Sequence, residues 1–353
     1  MHRIMAGVTI LEHELSELRL LVERQAGILL DCPNSALAAH VAEYLESHEL
    51  ESLAALFQRL QASDQDPSIL PNFLDGILNC NTGFFRHPGA MAALARHAVP
   101  QLYSRKSEEG RCTLRIWSAG CGTGEEAYSI AMALCSLVPS TMLGPAGNGK
   151  EKEVREKDGK EKSPARNGGI VESTVPAAAQ VPKDWSVHIV GSDLLPASIQ
   201  VAERGLYPQS ALAGLPPATI RACFSKIGTP AIAATESQSG NGAGNSSSAA
   251  PGSHMLVKPR IRSLVTFNTM NLTKPVYIGR FDCIFCMDVL PHLSRAQRTA
   301  LIERLHLYLE PGGYLFVSQT EKLSIANLNF RAETFDGYTM HRKPLAASAA
   351  YGR

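Results

Sequence analysis

The segment LRIWSAGCGTGEEAYSIAMAL, residues 114 to 134, restricts the possible folds more than any other part of the chain. A β-rich run passes through a glycine-rich turn directly into a helical pattern, which is how a βαβ unit opens. The alternation continues downstream. SVHIVGSD (186–193) reads as a second strand and PASIQVAER (196–204) as the helix after it. FDCIFCMDVL (281–290) reads as a third strand, and RAQRTALIERLHLYL (295–309) as a helix stopped by EPGG. YLFVSQT (314–320) is a further strand. Strands alternating with helices predict an α/β fold with a doubly wound, mostly parallel sheet.

Residues 10 to 62 follow a different rule. LEHELSELRLLVERQAGILL and ALAAHVAEYLESHELESLAALFQRL place Leu, Val and Ala at spacings of three and four, with no strand signal. They predict a small α-helical N-terminal domain over 1–75, followed by the α/β domain over 76–345. The helical part is acidic: Arg3, Arg19, Arg24 and Arg59 face a large excess of Asp and Glu. Residues 140–183 are rich in charge, Gly and Pro, and 229–253 in Gly, Ser and Ala, so both read as flexible insertions with little to bury. A small inserted β-subdomain is expected at about 208–267. There, MLVKPRIRSLVTF (255–267) alternates and would put Lys258, Arg260 and Arg262 on one strand face.

The formal net charge of +1 supplies no global field toward nucleic acid or an anionic membrane. No apolar run reaches the roughly 18 residues of a membrane span, so no membrane insertion is expected. The opening stretch MHRIMAGVTILEHELSEL lacks the long apolar core of a signal peptide and is expected to be mature protein. The 8 cysteines are scattered through apolar stretches, which fits reduced thiols in the cytoplasm. Cys283 and Cys286 form a C-x-x-C, but residues three apart on a strand point to opposite faces, so no metal site is expected there.

The turn selects its ligand by charge. Gly120, Gly122 and Gly124 give G-x-G-x-G, and Glu125 stands where the dinucleotide fingerprint has its last glycine. A helix N-terminus attracts anions, but Glu125 and Glu126 already bring negative charge there. A phosphate would be repelled, and no Lys-Ser/Thr follows to make a P-loop. S-adenosylmethionine, with an ammonium, a sulfonium and no phosphate, suits the turn better. The glycines allow close approach of the backbone, and Asp193 at the end of the second strand is placed to hold ribose hydroxyls. The usual spacing to that acid is about 20 residues; the 140–183 insertion lengthens it here. Of Glu125 and Glu126, one is expected to meet the ligand and the other to serve the helix end.

With NTGFFRHP (81–88), SDLLPASIQVAERGLYP (192–208), FNTMNL (267–272), FDCIFCMDVLPHL (281–293) and LEPGGYLFVSQTEKL (309–323), the chain resembles a known family over residues 70 to 343, the insertions apart. The family is that of the CheR chemotaxis receptor glutamate O-methyltransferases. The resemblance implies a Rossmann-like methyltransferase sheet. It implies cofactor contacts from Thr82, Arg86, Gly120, Gly122, Gly124, Glu126 and Asp193. Asn271, Leu272, Asp288 and Val289 complete the implied cofactor set.

It also implies methyl transfer from S-adenosylmethionine to glutamate side chains of a chemoreceptor-like signalling protein, giving γ-methyl esters. Arg86 and His292 are the candidate catalytic residues. Arg86 would orient the attacking carboxylate, while His292 either replaces a tyrosine hydrogen bond or caps the helix beginning near Ser294.

Departures from the family pattern are Met287 for Arg, Asp288 for Asn, His292 for an aromatic residue, and Cys80 for an Asn beside Asn81. GILLDCPNSALAAHVAEYLES (27–47) carries no Lys or Arg where family members carry several. Two other functions remain open on these departures: a cofactor-binding regulatory relative without turnover, and a small-molecule methyltransferase. In the family, the β-subdomain with Lys258, Arg260 and Arg262 can dock a receptor tail; an ordinary solvated strand face is the other reading.

Overall fold

The structure, a computed structural model, describes residues 10–62, 66, 68–75, 77–78, 82–135, 185–227, 253–275, 278–319 and 328–345. The two expected insertions, Ser253 apart, and the Cys80–Asn81 position lie outside the described residues.

The strands are β1 (Thr113–Ala119), β2 (Ser186–Asp193), β3 (Leu206–Pro208), β4 (Phe224–Ile227), β5 (His254–Val257), β6 (Val265–Thr269), β7 (Phe281–Cys286), β8 (Leu309–Val317), β9 (Arg331–Phe335) and β10 (Tyr338–Arg342). A 7-stranded sheet runs in the order β6-β2-β1-β7-β8-β10-β9. The pairs from β6 to β8 are parallel, and β10 is antiparallel to both its neighbours. From β1 the chain winds outward through β2 to β6, then returns to β1 and winds the other way through β7 and β8. The sheet is therefore doubly wound, and its switch point lies between β1 and β7. EPGG does end a helix, but β8 already begins at Leu309. Gly312 (φ 75) and a register shift between Phe281 and Cys283 absorb the irregular stretch.

The helices are α1 (Glu12–Ala26), α2 (Asn34–Ser47), α3 (Leu53–Gln61), α4 (Ile69–Leu74), α5 (Pro88–Ala93), α6 (Val99–Glu108), α7 (Glu125–Leu134), α8 (Pro196–Arg204), α9 (Pro217–Cys223), α10 (Pro259–Arg262) and α11 (Arg295–Tyr308). A π-helical turn, Leu94–Ala98, joins α5 to α6. None of the described helices is long and apolar enough to cross a membrane.

Period-two alternation sends the strands' side chains into two cores. Leu114, Ile116, Cys283, Phe285, Tyr314 and Phe316 join one core with α5, α6 and α7. Trp117, Ala119, Ile284, Cys286, Leu315 and Val317 join the other with α1 to α4 and α11. Cys283 and Cys286 thus face opposite sides of the sheet, as their spacing predicts. The N-terminal helices share the second core instead of enclosing a separate one. α7 is apolar nearly all round, and all of its residues but Glu126 are buried.

The small sheet, ordered β3-β5-β4, is built from 206–208, 224–227 and 254–257. The run MLVKPRIRSLVTF does not form one strand as its alternation predicts. Pro259 opens α10, because its fixed φ suits a first helical turn and it cannot donate to a ladder. Val265–Thr269 then pairs with β2 in the large sheet. Lys258, Arg260 and Arg262 share no strand face. They donate instead to the carbonyls of Arg221 (2.5 Å), Ala222 (2.6 Å) and Glu203 (2.8 Å).

Candidate active site

Asp193 ends β2 beside Thr269 of β6, and Ala119 ends β1 beside Ser192. Beyond these carboxyl ends, at the switch point, lies a cavity of about 380 Å³. Its size falls within the usual range of small-ligand pockets. Each wall comes from a separate loop. Gly120, Cys121 and Gly122 follow β1; Asp193, Leu194 and Leu195 close β2; Met270 to Thr273 follow β6. Met287, Asp288, Val289, His292 and Leu293 follow β7. Thr82, Gly83, Phe85, Arg86, His87 and Met91 come from the loop before α5 and its first turns, while Ile28 and Leu78 come from the N-terminal region.

The glycine turn needs its glycines. Gly120 has φ 85, and a Cβ there would collide with the Val289 side chain. Gly122 has φ 54 and packs beside Thr82. Its N–H donates to Asp193 Oδ2 (2.9 Å), while the Leu195 N–H donates to Oδ1 (3.0 Å). The acid is thereby fixed at the rim, and burial raises its pKa against those two hydrogen bonds. Gly124 has φ 95 and does not line the cavity. A Cβ there would stand 2.7 Å from Ala202 and 3.1 Å from the Tyr207 hydroxyl, so this glycine serves the packing of the turn against α8.

Glu125 and Glu126 part company at the first turn of α7. Glu125 is buried, and its Oε2 accepts from the hydroxyls of Thr123 (2.7 Å) and Thr82 (3.3 Å). It ties the loop before α5 to the helix end and stays out of the cavity lining. Glu126 lines the cavity and accepts from the Ser118 hydroxyl (2.6 Å). Burial pushes its pKa up to about 7, with Asp288 adding to the rise and Ser118 and Arg86 opposing it.

Across the cavity, Arg86 Nη2 lies 3.3 Å and His87 Nε2 2.9 Å from the same oxygen, Asp288 Oδ2. Phe85 and Asp288, on facing loops, both hold left-handed backbones, φ 53 and 56. Such strain persists only where the surroundings over-determine it, and it clusters at functional sites. Asn271 Oδ1 accepts from the Thr273 N–H (2.8 Å), and Arg304 donates to the carbonyls of Leu272 (2.7 Å) and Thr273 (2.8 Å), which shapes that wall. His292 is exposed on the cavity and is not the helix cap, since Ser294 is the N-cap of α11. Its carbonyl accepts from the Leu29 N–H (2.8 Å), which brings the N-terminal region to the rim.

The structure therefore brings Thr82, Arg86, Gly120, Gly122, Glu126, Asp193, Asn271, Leu272, Asp288, Val289 and His292 to one cavity and leaves Gly124 outside it. Sequence reasoning missed His87, although it adjoins Arg86. It also missed the apolar lining of Ile28, Leu78, Met91, Met270 and Met287, whose residue types are ordinary for a core.

The lining includes the carboxylates of Glu126, Asp193 and Asp288 against the lone guanidinium of Arg86. A cationic, phosphate-free ligand fits that balance. Residues 80–143 and 244–338 match the sequence model of a family described as CheR methyltransferase, SAM binding domain. Over those residues the chain carries a CheR-type methyltransferase domain. Its cofactor is S-adenosylmethionine.

Similar proteins span nearly its full length. Chemotaxis protein methyltransferase 1 of Pseudomonas aeruginosa is 28% identical over 87% of this chain and 89% of its own. Chemotaxis protein methyltransferase Cher2 of Pseudomonas putida is 26% identical over 88% and 90%. A probable chemotaxis protein methyltransferase of Rhizobium etli is 23% identical over 86% and 90%.

Proposed function

We propose that this chain methylates glutamate side chains of a chemoreceptor-like signalling protein, forming γ-methyl esters. The cavity's charge arrangement carries the reading: carboxylates suited to a cationic cofactor, with one guanidinium and an exposed histidine on the same cavity. S-adenosylmethionine supplies an electrophilic methyl group on a sulfonium. Glu126, Asp193 and the Gly120–Gly122 backbone would hold the cofactor, with Thr82, Asn271, Leu272, Asp288 and Val289 around it. A glutamate side chain has an unperturbed pKa near about 4.3, so the attacking group is already ionised and needs no general base. What the protein adds is alignment of the reacting atoms. Arg86 would orient the incoming carboxylate through charge-assisted hydrogen bonds, and His292 would border it.

Residues 1–75 would form the helical N-terminal domain and 76–345 the methyltransferase domain. Exposed Glu12, Glu17, Glu43 and Glu46 on α1 and α2 would repel a uniformly acidic partner. A target segment with basic flanks fits better. The reaction would take place in the cytoplasm, where thiols stay reduced. The test is purified chain with methyl-labelled S-adenosylmethionine and a panel of receptor signalling domains. Base-labile label on a receptor glutamate supports the reading. Label appearing only in a protein-free metabolite extract would favour a small-molecule substrate and overturn it.

A further inference from the structure

Arg86 and Asp288 form a pair that is weak by itself. The Arg86 side chain is 41% exposed and its contact with Asp288 is 3.3 Å long, so solvent competes for both partners. Such a pair by itself adds little to the placement of a guanidinium. His87 changes the situation. It is the N-cap residue of α5, next in the chain to Arg86, and its Nε2 approaches Asp288 Oδ2 more closely, at 2.9 Å. Histidine and arginine thus meet one carboxylate oxygen. Asp288 itself sits on a left-handed backbone at the end of β7, so its side chain projects from a constrained turn. The two facing loops are joined at this oxygen across 201 residues of sequence.

We propose that His87 is a positioning residue: by fixing the Asp288 carboxylate it fixes Arg86, and so sets how the attacking carboxylate is received. The proposal rests on the methyl-transfer reading for its consequence, though not for the contact. Aligning reactants to within an ångström is worth up to about two orders of magnitude in rate, so a loosened Arg86 affects turnover more than binding.

The experiment has two arms on the full chain. In the first, methyl transfer is measured for His87→Ala, His87→Gln, Asp288→Ala and the double variant His87→Ala/Asp288→Ala. His87→Ala should lower kcat about tenfold with KM for the cofactor within about twofold. His87→Gln keeps a donor and should recover most of the loss. Once Asp288 is alanine, adding His87→Ala should change kcat by less than about twofold, because coupled residues are not additive. Equal effects in both backgrounds, or a Gln variant no better than Ala, would overturn the proposal.

The second arm needs neither cofactor nor substrate. It follows the side-chain nitrogen resonance of Arg86 in labelled protein. His87→Ala should shift that resonance, and it should add no shift when Asp288 is already alanine. An unmoved Arg86 signal overturns the proposal. Absence of turnover in the unaltered chain would count against methyl transfer, while the resonance arm still decides the positioning.

Discussion

Asp282, near the start of β7, and Glu126, beyond the end of β1, are both set among protein atoms, yet they have very different partners. Asp282 accepts from Lys106 Nζ at 2.7 and 2.6 Å and from the Arg115 N–H at 2.9 Å. Both members of the ion pair are almost wholly buried, at 2% and 1% exposure. Glu126 has the Ser118 hydroxyl, and burial has raised its pKa to about 7. The amino end of the sheet meets its buried charge with protein groups. At the carboxyl end Glu126 is met by one hydroxyl, which leaves its charge available to a cationic ligand.

Breaking the paired end should have the largest effect. Lys106→Met leaves the Asp282 carboxylate buried without its cation and should cost about 3–5 kcal/mol of stability. Urea denaturation would measure it. Adding Asp282→Asn should recover part of the loss, since the amide oxygen still accepts from Arg115.

At the other end, removing a charge should affect turnover and not folding. Arg86→Ala is expected to lower methyl transfer about 100-fold while stability changes by less than about 0.5 kcal/mol. A parallel loss of stability would mean that Arg86 is structural, like Lys106.

Glu126→Gln sharpens the contrast further. The carboxyl's pKa is raised in the folded state, from 4.5 to about 7, so the native protein binds more protons than the unfolded chain between those values. Its contribution therefore falls as pH rises through that window, and above about 7 the ionised group is a full liability. Replacing it by an amide should stabilise the ligand-free protein above pH 7 by an amount on the order of 3 kcal/mol. The same variant should bind S-adenosylmethionine more weakly, as calorimetry would show.

The smallest effect is a pH slope. A bound cation favours the ionised carboxylate, so cofactor affinity should fall as pH drops below about 7. One proton limits the slope to at most about tenfold per pH unit. Glu126→Gln should flatten it; a slope that survives the substitution belongs to another group.

Much of this site was legible because it depends on local spacing. The strand-turn-helix at 114–134 announced both the sheet and the cradle, and Asp193 was readable as the last residue of a strand. That Glu125 and Glu126 would divide their labour was readable from charge at a helix end, but which of them meets the ligand came only with the family resemblance. Gly124 was legible as a turn glycine but not as one turned toward Ala202, since that depends on where α8 packs. Lys258, Arg260 and Arg262 were misplaced because an alternating pattern can also pass through a proline-started helical turn.

The sequence by itself determined the doubly wound order of elements, the glycine turn, and a pocket unsuited to phosphate, because periodicity and charge at a helix end act over a few residues. Only the tertiary structure decided that His87 meets Asp288, that Lys106 meets Asp282, and that the N-terminal helices share the core under the sheet. Those partners are 201 and 176 residues apart. Contacts at that separation depend on strand register and loop placement, which no local pattern encodes.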